Sequence, residues 1–235
     1  MRRLVLLLAL SLTACAELSP RKDSNAPVEW QPALAHLPPE AARSFAEVSS
    51  AVAPRAIEEC RRRTRNVDCD FRILVDLDPR APLNAFQSVD DDGRPVIIFT
   101  ASMITGVSNP DELAFVMSHE AAHHIAGHLD RQAENAAAGA AIFAELAAKT
   151  GGNEAAVEKA QEIGAVVGAR SYSKEFELEA DELGTIITAR AGYNPIVGAE
   201  FFSRLPDPGD RFLGTHPPNA ERIEIVRRTA SQVGF

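Results

Sequence analysis

The chain has 235 residues, 46% of them hydrophobic, which is enough apolar material to bury the core of one domain and argues against disorder throughout. Its formal net charge of -9 argues against non-specific binding to nucleic acid, which requires basic surfaces. Arginines cluster between positions 61 and 65, and this run fits either a solvated face or contact with lipid head groups or an acidic partner.

The N-terminus has the pattern of an export signal. Two arginines precede an apolar run, Leu4 to Leu12, that is too short to span a bilayer as a permanent helix. The run ends in Leu-Thr-Ala-Cys, which resembles a bacterial lipobox, in which Cys15 is lipidated and becomes the first residue of the mature protein. An ordinary signal peptide cut near Ala16 is the alternative. We expect a signal peptide over residues 1–14 and attachment to a membrane through a lipid at Cys15.

The segment after the lipobox predicts a tether and a compartment. Prolines without an apolar period over residues 15–39 indicate a lipidated linker, followed by one domain over residues 40–235. Ala rather than Asp at position 16 favours the outer over the inner membrane, by resemblance to enterobacterial sorting rules. The expected location is therefore the periplasm, on a lipid anchor.

Two cysteines, Cys60 and Cys69, remain when Cys15 is assigned to lipid. An even pair in an exported and oxidising context favours a disulfide that closes this short loop. Two buried free thiols and a metal site are the alternatives, although a lone pair at this spacing is weak evidence for metal.

The apolar pattern predicts an α+β domain that is predominantly α-helical. Residues 40–60 have helical spacing, whereas residues 71–76 alternate between apolar and polar side chains, as a strand does. A second short β-rich run, Val96 to Phe99, completes a predicted small antiparallel sheet. Alanine-rich residues 132–169, with a Gly-Gly pair inside them, predict two helices joined by a turn.

The motif HEAAH at residues 119–123 lies inside a predicted helix. Asn109 is a suitable N-cap, with proline at the first helical position and Glu112 three residues after the cap. On a helix, His119 and His123 share one face and can reach one metal ion, with Glu120 beside them as a possible base. The neighbouring histidines 124 and 128 are predicted to point away from that face. They would lie on the polar face of the helix or contact the ligands from behind, rather than bind the metal themselves.

A later helix, beginning near Ser171 or Ser173, carries Glu177 and Asp181 on one face. Two acids at this spacing repel each other unless a positive charge lies beside them, and a zinc site would supply that charge. An acidic solvated face is the alternative.

Together these motifs resemble the HtpX and CaaX-prenyl-protease superfamily of zinc metallopeptidases, over about residues 40–230. Within it, the chain looks most like the exported bacterial lipoprotein branch of BepA and LoiP. The resemblance rests on HEAAH, on the ExEAD segment with its Leu-Gly pair, and on two later segments: 119–123, 177–184, 191–195 and Thr215-His216-Pro217. It implies a zincin-like fold of the gluzincin type.

The resemblance also implies a site. His119, His123 and Glu177 would bind one zinc ion per chain, leaving the fourth position for water, and Glu120 would be the general base. Asp181 would orient a ligand histidine by accepting its other N–H.

Two further roles are implied around that site. His216 would either stabilise the oxyanion or gate the zinc. The run Val96 to Phe99 would be an edge strand against which an extended substrate lies.

The expected function is a zinc endopeptidase of the bacterial cell envelope that cleaves unfolded or misassembled envelope polypeptides. The chain departs from the HtpX and prenyl-protease branches because its sequence has no transmembrane helices, and from BepA because no helical repeat domain follows. A chaperone-like binding protein with a gated or rarely used zinc site is the alternative.

Overall fold

The computed structural model describes residues 28–207, 209 and 217–235. The strands are β1 Val28–Glu29, β2 Arg72–Asp76, β3 Ala85–Val89 and β4 Pro95–Thr100. The helices are α1 Trp30–Ala33, α2 Pro39–Arg63, α3 Ala101–Gly106, α4 Pro110–Ile125, α5 His128–Lys149, α6 Glu154–Arg170, α7 Ser173–Arg190, α8 Pro195–Gly198, α9 Glu200–Arg204 and α10 Asn219–Val233. The predicted α+β class, mainly helical, is confirmed. The predicted signal peptide, Cys15 and His216 lie outside the described residues.

The sheet is mixed, so the predicted antiparallel arrangement is wrong. Its strand order is β1-β2-β4-β3, with β2 parallel to β4 and β3 antiparallel to β4. The sequence pattern did not predict β3, because this half-exposed strand lacks a regular alternation of large apolar side chains. After β2 the chain passes to the outer position of the sheet and forms β3. It then turns back as a hairpin, so that β4 lies between β2 and β3.

The domain begins before residue 40, inside the segment assigned to the tether. β1 pairs with β2, and Ala33 and Leu37 are buried in the core. The ring of Trp30 packs edge-on against Phe45, with 6.3 Å between centroids. Four prolines at positions 27, 32, 38 and 39 interrupt this stretch and hide its apolar pattern, which is why it resembled a linker.

Helix α4 runs through the centre of the domain, in contact with α2, α7, α8 and the sheet. Its side chains are buried on several faces, including Leu113, Phe115 and Met117. Two glycines permit close packing against it: a Cβ at Gly184 would lie 3.1 Å from the His119 backbone, and one at Gly198 would lie 2.6 Å from the Phe115 Cβ. The helix that carries HEAAH is therefore held by its neighbours on several faces.

Helices α5 and α6 form the predicted alanine-rich hairpin, and their backbones approach closely at Gly139, Gly164 and Gly168. Leucine, isoleucine and valine side chains are exposed along it, but charged residues are interspersed. Among the described helices, none is both long and apolar enough to cross a membrane.

Cys60 and Cys69 are joined by a disulfide, with 5.8 Å between their Cα atoms. The bond connects the last turn of α2 to the loop that leads into β2. The carbonyl of Asp68 in this loop accepts a hydrogen bond from His124 Nε2 at 2.7 Å, so the loop also contacts α4. Of the alternatives left open by the sequence, the pairing in this structure is the disulfide.

Candidate metal centre

The start of α4 is the one that the sequence predicted. The Asn109 side chain accepts a hydrogen bond from the Glu112 backbone N–H at 2.9 Å, and the Glu112 carboxylate accepts one from Ser108 N–H at 2.7 Å. Glu112 is itself buried and paired with Arg204. This cap fixes where the helix begins and so which residues face α7.

His119, His123 and Glu177 converge with their metal-binding atoms facing one another. His119 Nε2 lies 3.0 Å from His123 Nε2, and Glu177 carboxylate oxygens lie 3.6 Å and 3.3 Å from the two nitrogens. Donors on a tetrahedral zinc ion with bonds near 2.0–2.1 Å are separated by about 3.3 Å. Two imidazoles and a carboxylate at these distances therefore fit a zinc ion.

The electrostatics of this cluster favour a cation. Burial disfavours the charged form of His119, but the carboxylates of Asp181 and Glu177 outweigh burial and raise the pKa of His119 to about 10. Carboxylates that stabilise a proton on a buried histidine also stabilise a metal cation at the same point. The charges around the donors and the distances between them thus both favour a bound metal cation.

Glu120 faces a cleft of about 550 Å³ together with the three donors. Burial, the largest effect, raises the pKa of its carboxyl, while the neighbouring histidines oppose that rise. A carboxylate with a raised pKa is a better proton acceptor at neutral pH. The glutamate that the sequence predicted as a base is therefore at the cleft surface, beside the metal-binding atoms.

Asp181 is fully buried beside His119 and accepts a hydrogen bond from its Nδ1 at 3.0 Å. This is the contact that the resemblance implied. The arrangement leaves the Nε2 lone pair of His119 directed toward the donor cluster.

Arg222 from α10 is a site residue that the sequence analysis missed. Its guanidinium donates two hydrogen bonds of 2.7 Å to Asp181 and lies 3.3 Å from Glu177 and 3.8 Å from the centre of the Phe202 ring. One signal existed in the sequence: Arg222 shares the helical stripe of the buried residue Val226 and so lies on the apolar face. A buried arginine there requires a buried acid as its partner.

The two neighbouring histidines behave differently from each other. His124 contacts the Phe71 ring and the disulfide loop, away from the donors, as predicted. His128 instead contacts His123, with 2.8 Å between their Nδ1 atoms. Burial and the nearby His123 lower the pKa of His128 to about 4, so its imidazole is neutral at neutral pH.

The predicted edge strand is wrong. The run Val96 to Phe99 belongs to β4, which has β2 on one side and β3 on the other. β3 is the outer strand within the described part of the chain, and Ala85, Phe86 and Gln87 line the cleft. The sequence could not identify the edge because strand order depends on tertiary pairing.

A helix that carries HExxH and a second helix that adds a glutamate define the class of HExxH metallopeptidases with a His-His-Glu donor set. The chain belongs to peptidase family M48, whose family model matches residues 51–230. This family consists of zinc-dependent metallopeptidases and includes the HtpX-like enzymes, so the resemblance to that superfamily is confirmed. A search of curated proteins produced no match to the chain.

We expect Arg222→Ala to lower the free energy of unfolding by about 3–5 kcal/mol, because it leaves the buried Asp181 without its cation. Urea unfolding in the presence of a chelator measures this without a contribution from metal. Arg227→Ala is the matched control, since this arginine is exposed on the same helix and should cost no more than about 0.5 kcal/mol. Equal effects of the two substitutions would contradict the assignment.

Proposed function

We propose that this chain is a zinc endopeptidase of the bacterial cell envelope that cleaves unfolded or misassembled envelope proteins. The observation that carries the proposal is the convergence of His119, His123 and Glu177, with Glu120 beside them on an open cleft. When bound, a zinc ion polarises the scissile carbonyl and makes water a stronger acid.

Glu120 and the buried residues behind the donors supply the rest of the chemistry. The Glu120 carboxylate accepts the proton of the attacking water and can return it to the departing amine. Asp181 keeps the proton of His119 on Nδ1, and Arg222 holds Asp181 in place through two hydrogen bonds. His216, which the resemblance placed near the zinc, lies outside the described residues, and its role as oxyanion stabiliser or gate stays a prediction.

The backbone of β3 is suited to align an extended substrate. The Thr100 N–H donates to Asn84 C=O and the Asp90 N–H donates to Arg94 C=O, so the even-numbered positions of β3 face β4. Ala85, Gln87 and Val89 consequently direct their N–H and C=O groups to the other side. A substrate strand can pair with these groups, which recognises main chain and requires little side-chain selectivity.

The side chains around the cleft favour apolar substrates. Apolar side chains contribute much of its walls, among them Met103, Phe115, Phe201, Phe202 and Leu205. An unfolded polypeptide offers both an extended backbone and exposed apolar side chains, whereas a folded protein buries both. This combination supports unfolded or misassembled proteins as the substrate class.

The envelope location rests on sequence features and on the disulfide. The signal pattern and the lipobox at residues 12–15 support export and lipidation of Cys15, and Ala16 supports the outer membrane. The disulfide between Cys60 and Cys69 fits an oxidising compartment.

Glu120→Gln should reduce cleavage of unfolded casein by about 10²–10⁴-fold, because the amide cannot accept the proton of water. Chelator should abolish cleavage, and added zinc should restore it. Glu175→Gln makes the same chemical change on the exposed surface of α7 and should leave the rate unaltered. Full activity in Glu120→Gln or insensitivity to chelator would eliminate this mechanism, and binding of casein without any cleavage by the wild-type chain would favour the chaperone-like alternative.

Gln87→Pro should weaken cleavage mainly through a higher KM, because proline removes the outward N–H at that position and leaves the bonds to β4 intact. Gln87→Ala is the matched control, since it removes the same side chain but keeps the N–H. The measurement is steady-state cleavage of an unstructured peptide. If both variants behave alike, β3 does not align the substrate through its backbone.

Cys15→Ala should move the protein from the membrane fraction to the soluble periplasmic fraction, because it removes the site of lipid attachment. Fractionation and immunoblotting measure this. Thr13→Ser keeps the cysteine and should remain with the membrane. A Cys15→Ala protein that is still membrane-bound would show that the anchor lies elsewhere.

A further inference from the structure

The contact between His123 and His128 defines where the protons lie. The two Nδ1 atoms are 2.8 Å apart, so one of them must donate and the other must accept. Nε2 of His123 faces His119 and Glu177, and it can bind a metal only when it carries no proton. The proton of His123 therefore resides on Nδ1, and His128 Nδ1 accepts it.

This assignment fixes the proton of His128 as well. With Nδ1 as acceptor, the neutral ring carries its proton on Nε2, which lies 3.2 Å from a carboxylate oxygen of Glu179. The same oxygen accepts a hydrogen bond from Arg131 at 2.8 Å. Both ring nitrogens of His128 thus have a hydrogen-bond partner of the right type.

The chain geometry that brings His128 to this position is specific. On a continuous helix, residues five apart point about 140° away from each other, so His128 would face away from His123. Helix α4 instead ends at Ile125, and Gly127 adopts a left-handed conformation with φ of 66° before α5 begins. Because of this break, the His128 ring points toward His123 and contacts it.

Packing holds the His128 ring in one orientation. The His128 side chain is 5% exposed and stacks on Phe176, with ring planes 11° apart and centroids separated by 4.5 Å. Phe176 immediately precedes Glu177, and the Arg131 guanidinium lies 4.3 Å from the Phe176 ring centre. The ring is therefore fixed both by stacking and by hydrogen bonds.

We propose that His128 is a positioning residue for the metal ligand His123, whose Nδ1–H it accepts, and that Glu179 holds His128 in the tautomer required for this. The proposal rests on the proposed zinc site, since it concerns the orientation of one of its ligands. Asp181 accepts the Nδ1–H of His119 in the same way, so each ligand histidine has its own hydrogen-bond acceptor.

Two substitutions separate hydrogen bonding from packing. His128→Phe keeps an aromatic ring against Phe176 but has no acceptor, whereas His128→Asn loses the ring but has a side-chain oxygen bonded to Cγ, where the histidine has Nδ1. We expect His128→Phe to lower zinc affinity by about 10–100-fold and His128→Asn to stay within about threefold of the wild type. His124→Ala, at the neighbouring histidine that faces the disulfide loop, should have no effect.

Zinc affinity of the purified full chain is measured by competition with a chromophoric chelator. Histidine ¹⁵N–¹H NMR of the zinc-loaded protein should show a slowly exchanging His123 Nδ1 proton that persists in His128→Asn and is lost in His128→Phe. Affinity retained in His128→Phe but lost in His128→Asn would assign the residue to packing alone and overturn the proposal.

Glu179 provides a test on a half-exposed side chain, should His128→Phe fail to fold in chelator. Glu179→Ala removes the acceptor of His128 Nε2–H and should weaken zinc binding by about several-fold, which is near the lower end of the effects of such residues on metal affinity. Glu179→Gln keeps an acceptor oxygen and should bind zinc as the wild type does. Wild-type affinity in both would overturn the role of Glu179. A wild-type chain that binds no zinc would instead refute the metal site itself.

Discussion

Buried negative charge is the constraint on which the rest of this structure depends. Glu177 and Asp181 lie one helical turn apart at the contact between α7 and α4. Asp181 is fully buried and the Glu177 side chain is 12% exposed at the cleft, so water screens their repulsion only weakly. Arg222 compensates part of this charge from a third helix, and the two histidines of α4 offer the lone pairs that a metal cation needs to compensate the remainder. Binding a cation and holding three helices together are consequently parts of the same interaction.

The central position of α4 makes this arrangement precise enough for chemistry. The helix is packed against α2, α7, α8 and the sheet, and Gly184 and Gly198 let the neighbouring backbones come close. A rigid helix fixes the spacing of His119 and His123, and the glycine contact determines how far Glu177 reaches toward them. Metal ligands on packed helices keep their geometry better than ligands on loops do.

The two ligand histidines are oriented by residues that lie behind them, outside the donor cluster. His119 is fixed by Asp181 and Arg222, while His123 contacts His128, which is held in turn by Glu179 and the stacked Phe176. β3 also lines the cleft and is an outer strand, whose outward backbone groups have no strand partner among the described residues. The site thus combines a donor cluster supported from behind with a surface in front that can accept an extended chain.

Sequence alone determined what depends on local periodicity. The Asn109 cap, the shared face of His119 and His123, and the pairing of Glu177 with Asp181 all follow from helical spacing within a few residues. The mixed sheet, the outer position of β3, the insertion of Arg222 and the approach of His128 were decided by the tertiary structure, and so was the start of the domain ahead of residue 40. Most of these features depend on which distant segments meet, which local patterns do not encode. The helical stripe of Arg222 indicated a buried arginine but not its partner, and the glycine at position 127 could mark a helix end but not the contact of His128 with His123.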